Sequence, residues 1–311
     1  MTLDEIRSAE TVVREVALRT PTLPFLGAGN DELWLKLENL QRLGSFKIRG
    51  VWNALRRMNP EVRSQGVVTF SAGNFGLAFA WAAKRLGVPS RVIVSEAASP
   101  AMVARIRGQG AAVETMPGAD IFRILDDENW RSWPTAVLNP VGDSTVVAGA
   151  GTMALEFLDE VADPGTVLVP VGGGDLAAGV AAAVKALRPT AKVVGVQVEG
   201  AAPLPRALQT GRRYQIEGPA KTIAGGISMT VILDQMAAFL ARHLDGCLLV
   251  SDDDLKRAMR DLTHEMKVIA EPSGAAAFAA WSKYRRTLSP PVVAIVSGGN
   301  VDPGLLSEVL S

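Results

Sequence analysis

Short apolar runs alternate with alanine-rich stretches along the middle of the chain. Residues 66–70, 90–95, 111–115, 166–170, 192–198 and 291–296 are brief runs rich in valine and isoleucine. Residues 76–86, 100–108 and 176–187 are longer and predict helices. A continuous apolar run predicts a strand covered on both faces, because a half-exposed strand alternates polar with apolar positions. Such strands separated by helices predict a parallel, doubly wound α/β fold. No internal repeat, low-complexity tract or linker marks a clean boundary. The weakest join lies at 139–151, where proline and glycine cluster.

Composition narrows the function. A chain of 311 residues suits two lobes or one large α/β unit. Lys plus Arg and Asp plus Glu both number 32, so no net field draws the chain to nucleic acid or to an anionic membrane. Aromatic residues make up 5%, too few for base-stacking platforms. No apolar run reaches the roughly 18 to 20 residues of a membrane span. The acidic start at Asp4 and Glu5 is not that of a signal peptide. One cysteine, Cys247, cannot form an internal disulfide, which points to a reducing, cytoplasmic setting and to a small core residue. His243 and His264 are the two histidines, and no Cys or His cluster has metal-ligand spacing, so no metal is expected.

Three segments carry candidate chemistry. Lys47 follows Phe46 where a loop marked by Gly44 and Ser45 turns into a helix. A lysine amine is a nucleophile only when neutral, and in water its pKa of about 10.4 keeps it charged. Apolar surroundings and a helix start both disfavour the charge, which are the conditions for a Schiff-base lysine. A solvated lysine at a helix start is the ordinary alternative. The second segment, 169–176, reads strand, Gly172-Gly173-Gly174, then helix. Its amides can converge on any phosphate, a nucleotide's included, and a tight structural turn reads the same way. The third, Ser71 to Gly76, opens a helix and offers a second anion nest or simply a capped start.

Taken together, Ser45-Phe46-Lys47-Ile48-Arg49-Gly50, Ser71 to Gly76, the glycine turn and Ser297-Gly298-Gly299-Asn300 resemble, in order, the fold-type II pyridoxal phosphate enzymes. The wording is most similar to the threonine and serine dehydratases (threonine ammonia-lyases) and serine racemase. The resemblance implies a tryptophan synthase β-like fold of two domains with parallel twisted sheets flanked by helices. Residues 64–142 would form the small domain, and 1–63 plus 143–311 the large, cofactor-binding one. It implies pyridoxal 5′-phosphate on Lys47 beside Phe46, with its phosphate at Gly172, Gly173, Gly174, Asp175 and Leu176. Asn74 would bond the phenolic oxygen and Ser297 would face the pyridine nitrogen. Ser71, Ala72, Gly73 and Asn74 would hold the carboxylate of a small amino-acid substrate. A homodimer without a C-terminal effector domain is implied as well. The implied reaction is deaminating elimination of a 3-hydroxy amino acid such as L-threonine or L-serine, with Lys47 as general base.

The chain departs from the pattern in places. Asp175 replaces a fourth glycine, and a carboxylate beside a phosphate must point outward, pair with a base or cap the helix. Ala72 stands where racemases carry a serine, and a methyl group cannot reprotonate an α-carbon, so elimination without efficient racemisation is expected. Gln197 and Pro203 stand where relatives place an acidic pair for a divalent cation. Phe75, Ala150 and Gly225 replace polar residues, implying a roomier, less polar pocket. Glu271, before Pro272, stays outside the catalytic set, as a solvated glutamate or an acid lying behind the cofactor's direct contacts. β-Replacement, racemisation and a non-catalytic binding protein are the alternatives. A nicotinamide dehydrogenase lacks its Gly-x-Gly-x-x-Gly and leaves Lys47 idle.

Overall fold

The computed structural model describes residues 1–28 and 32–311. Its strands are β1 (Thr22–Pro24), β2 (Leu33–Leu37), β3 (Val67–Phe70), β4 (Ser90–Ser95), β5 (Ala112–Met116) and β6 (Ala136–Val137). They continue as β7 (Thr166–Pro170), β8 (Lys192–Val198), β9 (Tyr214–Gln215), β10 (Val231–Ile232), β11 (Gly246–Val250) and β12 (Val292–Val296). Among the described residues, a six-stranded sheet runs β1-β2-β12-β7-β8-β11, and a four-stranded sheet runs β5-β4-β3-β6. Every pairing in these sheets is parallel except β1 with β2. β9 and β10 form a small antiparallel ribbon.

The parallel α/β pattern expected from the apolar runs is present. β3, β7 and β12 are buried at every residue, as strands covered on both faces must be. The apolar pattern alone did not reveal β2, because Lys36 interrupts its run. Nor did it reveal the half-buried edge strand β11 or the two-residue β6. The helix Asn74–Leu86 begins two residues before the expected 76, so Asn74 lies in its first turn.

Three helices meet at backbone contact. Lys47–Arg57 packs on Ser144–Glu160, which packs in turn on Asp175–Leu187. A Cβ on Gly149 would lie 2.5 Å from Arg49 O, and one on Gly50 2.6 Å from Val146 O. A Cβ on Gly151 would lie 2.8 Å from Gly179 O. Real Cβ atoms do not approach oxygen that closely, so glycine sets the spacing of all three helices. The helix that begins with Lys47 and the helix that follows the glycine turn are thereby held at fixed separation.

A charge cluster lies beneath the first of these helices. Arg49 and Lys36 are fully buried, as is Glu38, while Glu156 is 8% exposed. Arg49 donates to both carboxylates in two-pronged fashion, Nε and Nη2 to Glu38 at 2.8 and 2.7 Å, Nη1 and Nη2 to Glu156 at 2.7 and 2.8 Å. Lys36 Nζ completes the set on Glu156 Oε2 at 2.7 Å and Thr20 O at 2.6 Å. Burial works against ionised Glu38, but Arg49 holds its pKa below the usual carboxylate range. Two cations and two carboxylates balance. Removing one member strands an uncompensated charge, so Arg49→Met is expected to cost about 3–5 kcal/mol. Urea unfolding of the cofactor-free protein measures this, and a loss under about 1 kcal/mol would show the cluster to be dispensable.

Candidate active site

Lys47 opens its helix with Phe46 as the N-cap residue. The chain arrives through Leu43 and Gly44, both at positive φ, and Ser45 then bridges to Gly298. Phe46 N–H donates to Ser297 O at 3.2 Å. Ser297, buried at the end of β12, is thus brought beside Phe46 and Lys47 from the far end of the sequence.

The Lys47 amine sits 4.8 Å from the Phe46 ring centre and 5.6 Å from that of Phe75. Phe75 is buried in the first turn of the neighbouring helix. Burial pushes the Lys47 pKa down, against the pull of the Asp175 and Glu271 carboxylates. Desolvation outweighs both attractions, because a compact ammonium loses its hydration without gaining a direct anion. The neutral, nucleophilic amine is favoured accordingly.

Asn74 stands opposite, its Nδ2 donating to Glu271 Oε1 at 2.6 Å. Just before it, Ser71 Oγ accepts the Gly73 N–H at 3.3 Å, and a Cβ on Gly73 would meet nothing within 4 Å. The loop Ser71, Ala72, Gly73 is half-buried and faces open space at its glycine. Gly76 behind it is obligatory, since a Cβ there would overlap Ser71 O.

The glycine turn leads from β7 into the helix Asp175–Leu187, with Gly174 at φ +111° as N-cap. The N–H groups of Gly172, Gly173 and Gly174 meet no protein acceptor among the described residues. The Leu176 side chain packs into the core, leaving its backbone to the turn. Asp175 takes none of the three courses expected of it. It points inward, caps nothing, and accepts the Gly142 N–H at 2.7 Å. Burial raises its pKa, with Lys47 opposing. A backbone amide satisfies the carboxylate and ties the helix start to the turn at Gly142.

Glu271 is not a solvated glutamate. It lies between Asn74 and Gly298, and its backbone N–H donates to Gly298 O at 3.0 Å. Its sequence signals are the position before a helix-starting proline and the likeness of residues 271–274 to a family segment near the cofactor. Asn300 joins the same network through Asn74 Oδ1, a role that its place in a turn motif does not signal. Gln197 is buried, with Nε2 on Val171 O at 3.2 Å and Oε1 accepting Leu204 N–H at 2.8 Å. Its amide is used up inside the fold. Cys247 is half-buried and its thiol is pushed up to about 12 by burial.

Comparison with known proteins gives these contacts a family. Residues 13–298 match the model of the pyridoxal-phosphate dependent enzyme family. An L-threonine ammonia-lyase of Thermotoga maritima is 32% identical over all of this chain and 78% of its own length. An L-threo-3-hydroxyaspartate ammonia-lyase of Saccharomyces cerevisiae is 35% identical over all of this chain and 96% of its own. Among solved structures, the T.th. threonine deaminase superposes with a TM-score of 0.88 at 35% identity, covering 97% of this chain and 99% of that one. The maize serine racemase reaches 0.90 at 29% identity, covering 99% and 96%. The chain belongs to the pyridoxal-phosphate dependent enzymes. Its fold is that of fold type II, and its cofactor is pyridoxal 5′-phosphate.

The carboxyl of Glu271 is pushed up to about 7 by burial, despite the Asn74 bond that stabilises its anion. In the fold it keeps a proton that the unfolded chain releases near its ordinary value of 4.5. From this group, stability of the cofactor-free protein is full below about 4.5 and declines as pH rises towards 7, then levels off. Glu271→Gln is expected to remove that decline. Melting temperatures across roughly pH 5 to 8 test it, and an unchanged slope in the variant would reject Glu271 as its source.

Proposed function

We propose that this chain converts a 3-hydroxy amino acid, such as L-threonine or L-serine, to a 2-oxo acid and ammonia. The observation that carries the reading is the Lys47 amine, desolvated between two phenylalanine rings with Asn74, Glu271 and Ser297 around it. The names of the ammonia-lyase relatives support the same reaction class. The residues present fit the cofactor. An amine whose charged form burial disfavours suits its aldehyde, three uncommitted glycine amides at a helix start suit its phosphate, and Ser45 Oγ is buried without a partner nearby.

Lys47 is the covalent attachment point in this reading, with Phe46 beside it. The amides of Gly172, Gly173, Gly174, Asp175 and Leu176 hold the phosphate, Asn74 the phenolic oxygen, and Ser297 faces the ring nitrogen. Bound there, the cofactor supplies an electron sink that acidifies the substrate Cα–H. Ser71, Gly73 and Asn74 hold the substrate carboxylate at the helix start, which orients that bond towards Lys47. The Lys47 amine takes the proton, and burial disfavours its charged form beforehand. The β-hydroxyl departs as water on gaining a proton, in net the one taken from the α-carbon, and addition of a water in hydrolysis releases the nitrogen as ammonia. Ser297 would offer the ring nitrogen a neutral hydroxyl in place of an acid, which makes the electron sink weaker and favours prompt loss of the β-group.

Gly225 is exposed, and a side chain there would meet nothing within 4 Å. The name of the L-threo-3-hydroxyaspartate ammonia-lyase relative supports adding an acidic 3-hydroxy amino acid to the substrate panel beside threonine and serine. The reading includes a small domain at 64–142, a large one from 1–63 plus 143–311, and a cytoplasmic homodimer. Exposed Leu18, Leu40 and Ile269, linked around Asn39 and Gln41, support an apolar contact with a second copy.

Borohydride reduction of the loaded protein and peptide mass mapping are expected to find the pyridoxyl group on Lys47. Lys47→Ala is expected to lower 2-oxo acid formation by about 10³-fold or more. A label elsewhere, or full activity in the variant, would end this reading. Ala72 places a methyl on the loop where reprotonation from the opposite face needs an acid. The unaltered enzyme is expected to form 2-oxo acid from L-serine with little D-serine, whereas Ala72→Ser raises D-serine. Chiral chromatography decides, and rapid interconversion by the unaltered enzyme would contradict it.

A further inference from the structure

Asn74 is held at both ends of its amide. Its Nδ2 donates to Glu271 at 2.6 Å, and its Oδ1 accepts from Asn300 Nδ2 at 2.7 Å. Asn300 is in turn fixed by partners that permit one orientation only. Its Nδ2 also donates to the Leu43 carbonyl at 2.7 Å, and its Oδ1 accepts from Arg105 Nη1 at 2.9 Å. A carbonyl cannot donate and a guanidinium cannot accept, so the Asn300 amide cannot be turned round. The Asn74 oxygen must then face Asn300, and its nitrogen must face Glu271. Of the two Asn74 N–H groups, one is committed to Glu271 and one is left over.

Packing prevents these groups from swinging away. A Cβ on Gly298 would overlap Glu271 Oε1, and one on Gly44 would lie 2.8 Å from Asn300 Oδ1. Lys47 and Arg105 are the cations facing the Glu271 carboxyl, and Asp175 faces Lys47 from the glycine-turn helix. Arg105 belongs to the helix Pro100–Gly108 beside the four-stranded sheet, while Asn300 follows β12 of the six-stranded sheet and Glu271 is the N-cap residue of the helix Pro272–Tyr284 that packs on β12. The bonds therefore run from one sheet system to the other through Asn74.

We propose that Glu271 is a positioning residue which, together with Asn300 and Arg105, fixes the Asn74 amide so that its remaining N–H is presented to the cofactor. This rests on the reading of Asn74 as a cofactor contact and Lys47 as the attachment point. Glu271 touches neither reacting atom nor ring in this role. It decides which end of Asn74 faces inward.

The test is titration of pyridoxal 5′-phosphate into the full-length, cofactor-stripped protein, followed by ring absorption, for the unaltered chain and for Glu271→Ala, Glu271→Gln and Asn300→Ser. Glu271→Ala and Asn300→Ser, which free one end of Asn74, are expected to raise the dissociation constant about 10-fold and to shift the absorption band of the bound ring. Glu271→Gln keeps an acceptor for Asn74 and is expected to stay within about 3-fold of the unaltered chain. If Glu271→Ala does not fold, Asn300→Ser decides from the other end of the amide. Unchanged affinity and spectrum in Glu271→Ala or Asn300→Ser, or equal losses in Glu271→Ala and Glu271→Gln, would overturn the proposal. Borohydride mapping of the same samples separates the two readings. Label on Lys47 with unchanged affinity overturns only the positioning role, whereas no label on Lys47 in the unaltered chain overturns the reading beneath it.

Discussion

The structure depends on a balanced set of buried charges beneath one helix. Arg49 joins Glu38 and Glu156, and Lys36 closes the set from β2. Such a cluster adds little net stability over well-packed apolar residues, because desolvation consumes most of its Coulomb gain. Its value lies in being intolerant of displacement. A helix that slid or turned by one residue would strand two carboxylates in the interior. Arg49 lies two residues after Lys47, so whatever fixes Arg49 also fixes where the Lys47 amine emerges.

Glycine contacts carry that position to the rest of the site. Gly50 against Val146, Gly149 against Arg49 and Gly151 against Gly179 bring three helices to backbone distance. The same packing sets the separation between the amine at one helix start and the amides at another. Two phenylalanine rings pack beside the amine, and burial lowers its pKa against the pull of Asp175 and Glu271. The chemistry follows from the balance of these terms. A lysine in contact with a carboxylate would be an ion pair, and a lysine in water would be an ammonium. Here it is neither.

Asp175 shows how local structure resolves a conflict that a motif poses. An acid in a phosphate-binding turn is a contradiction only if it shares the anion's space. The Gly142 amide engages the carboxylate, and burial favours its neutral form. The turn therefore keeps its free amides beside a residue that would otherwise repel the ligand.

The sequence by itself determined the parallel α/β class, since buried strands must be apolar at every position, and it singled out Lys47, Asn74, Ser297 and the glycine turn. Lys47 and the glycine turn are readable because each depends on neighbours within a few residues, a loop before a helix and a strand before a turn, whereas Asn74 and Ser297 stood out only through the family resemblance. It did not reveal β2, whose apolar run is broken by Lys36, nor the charge cluster that explains that lysine. Nor did it reveal the burial of Glu271 or the bonds from Asn74 to Asn300 and from Asn300 to Arg105. The pairs Asn74–Glu271, Asn74–Asn300 and Asn300–Arg105 lie 197, 226 and 195 residues apart in the chain. Only the tertiary structure decided them, because burial and hydrogen-bond orientation belong to the groups that surround a residue in space, and local spacing carries no record of who those will be.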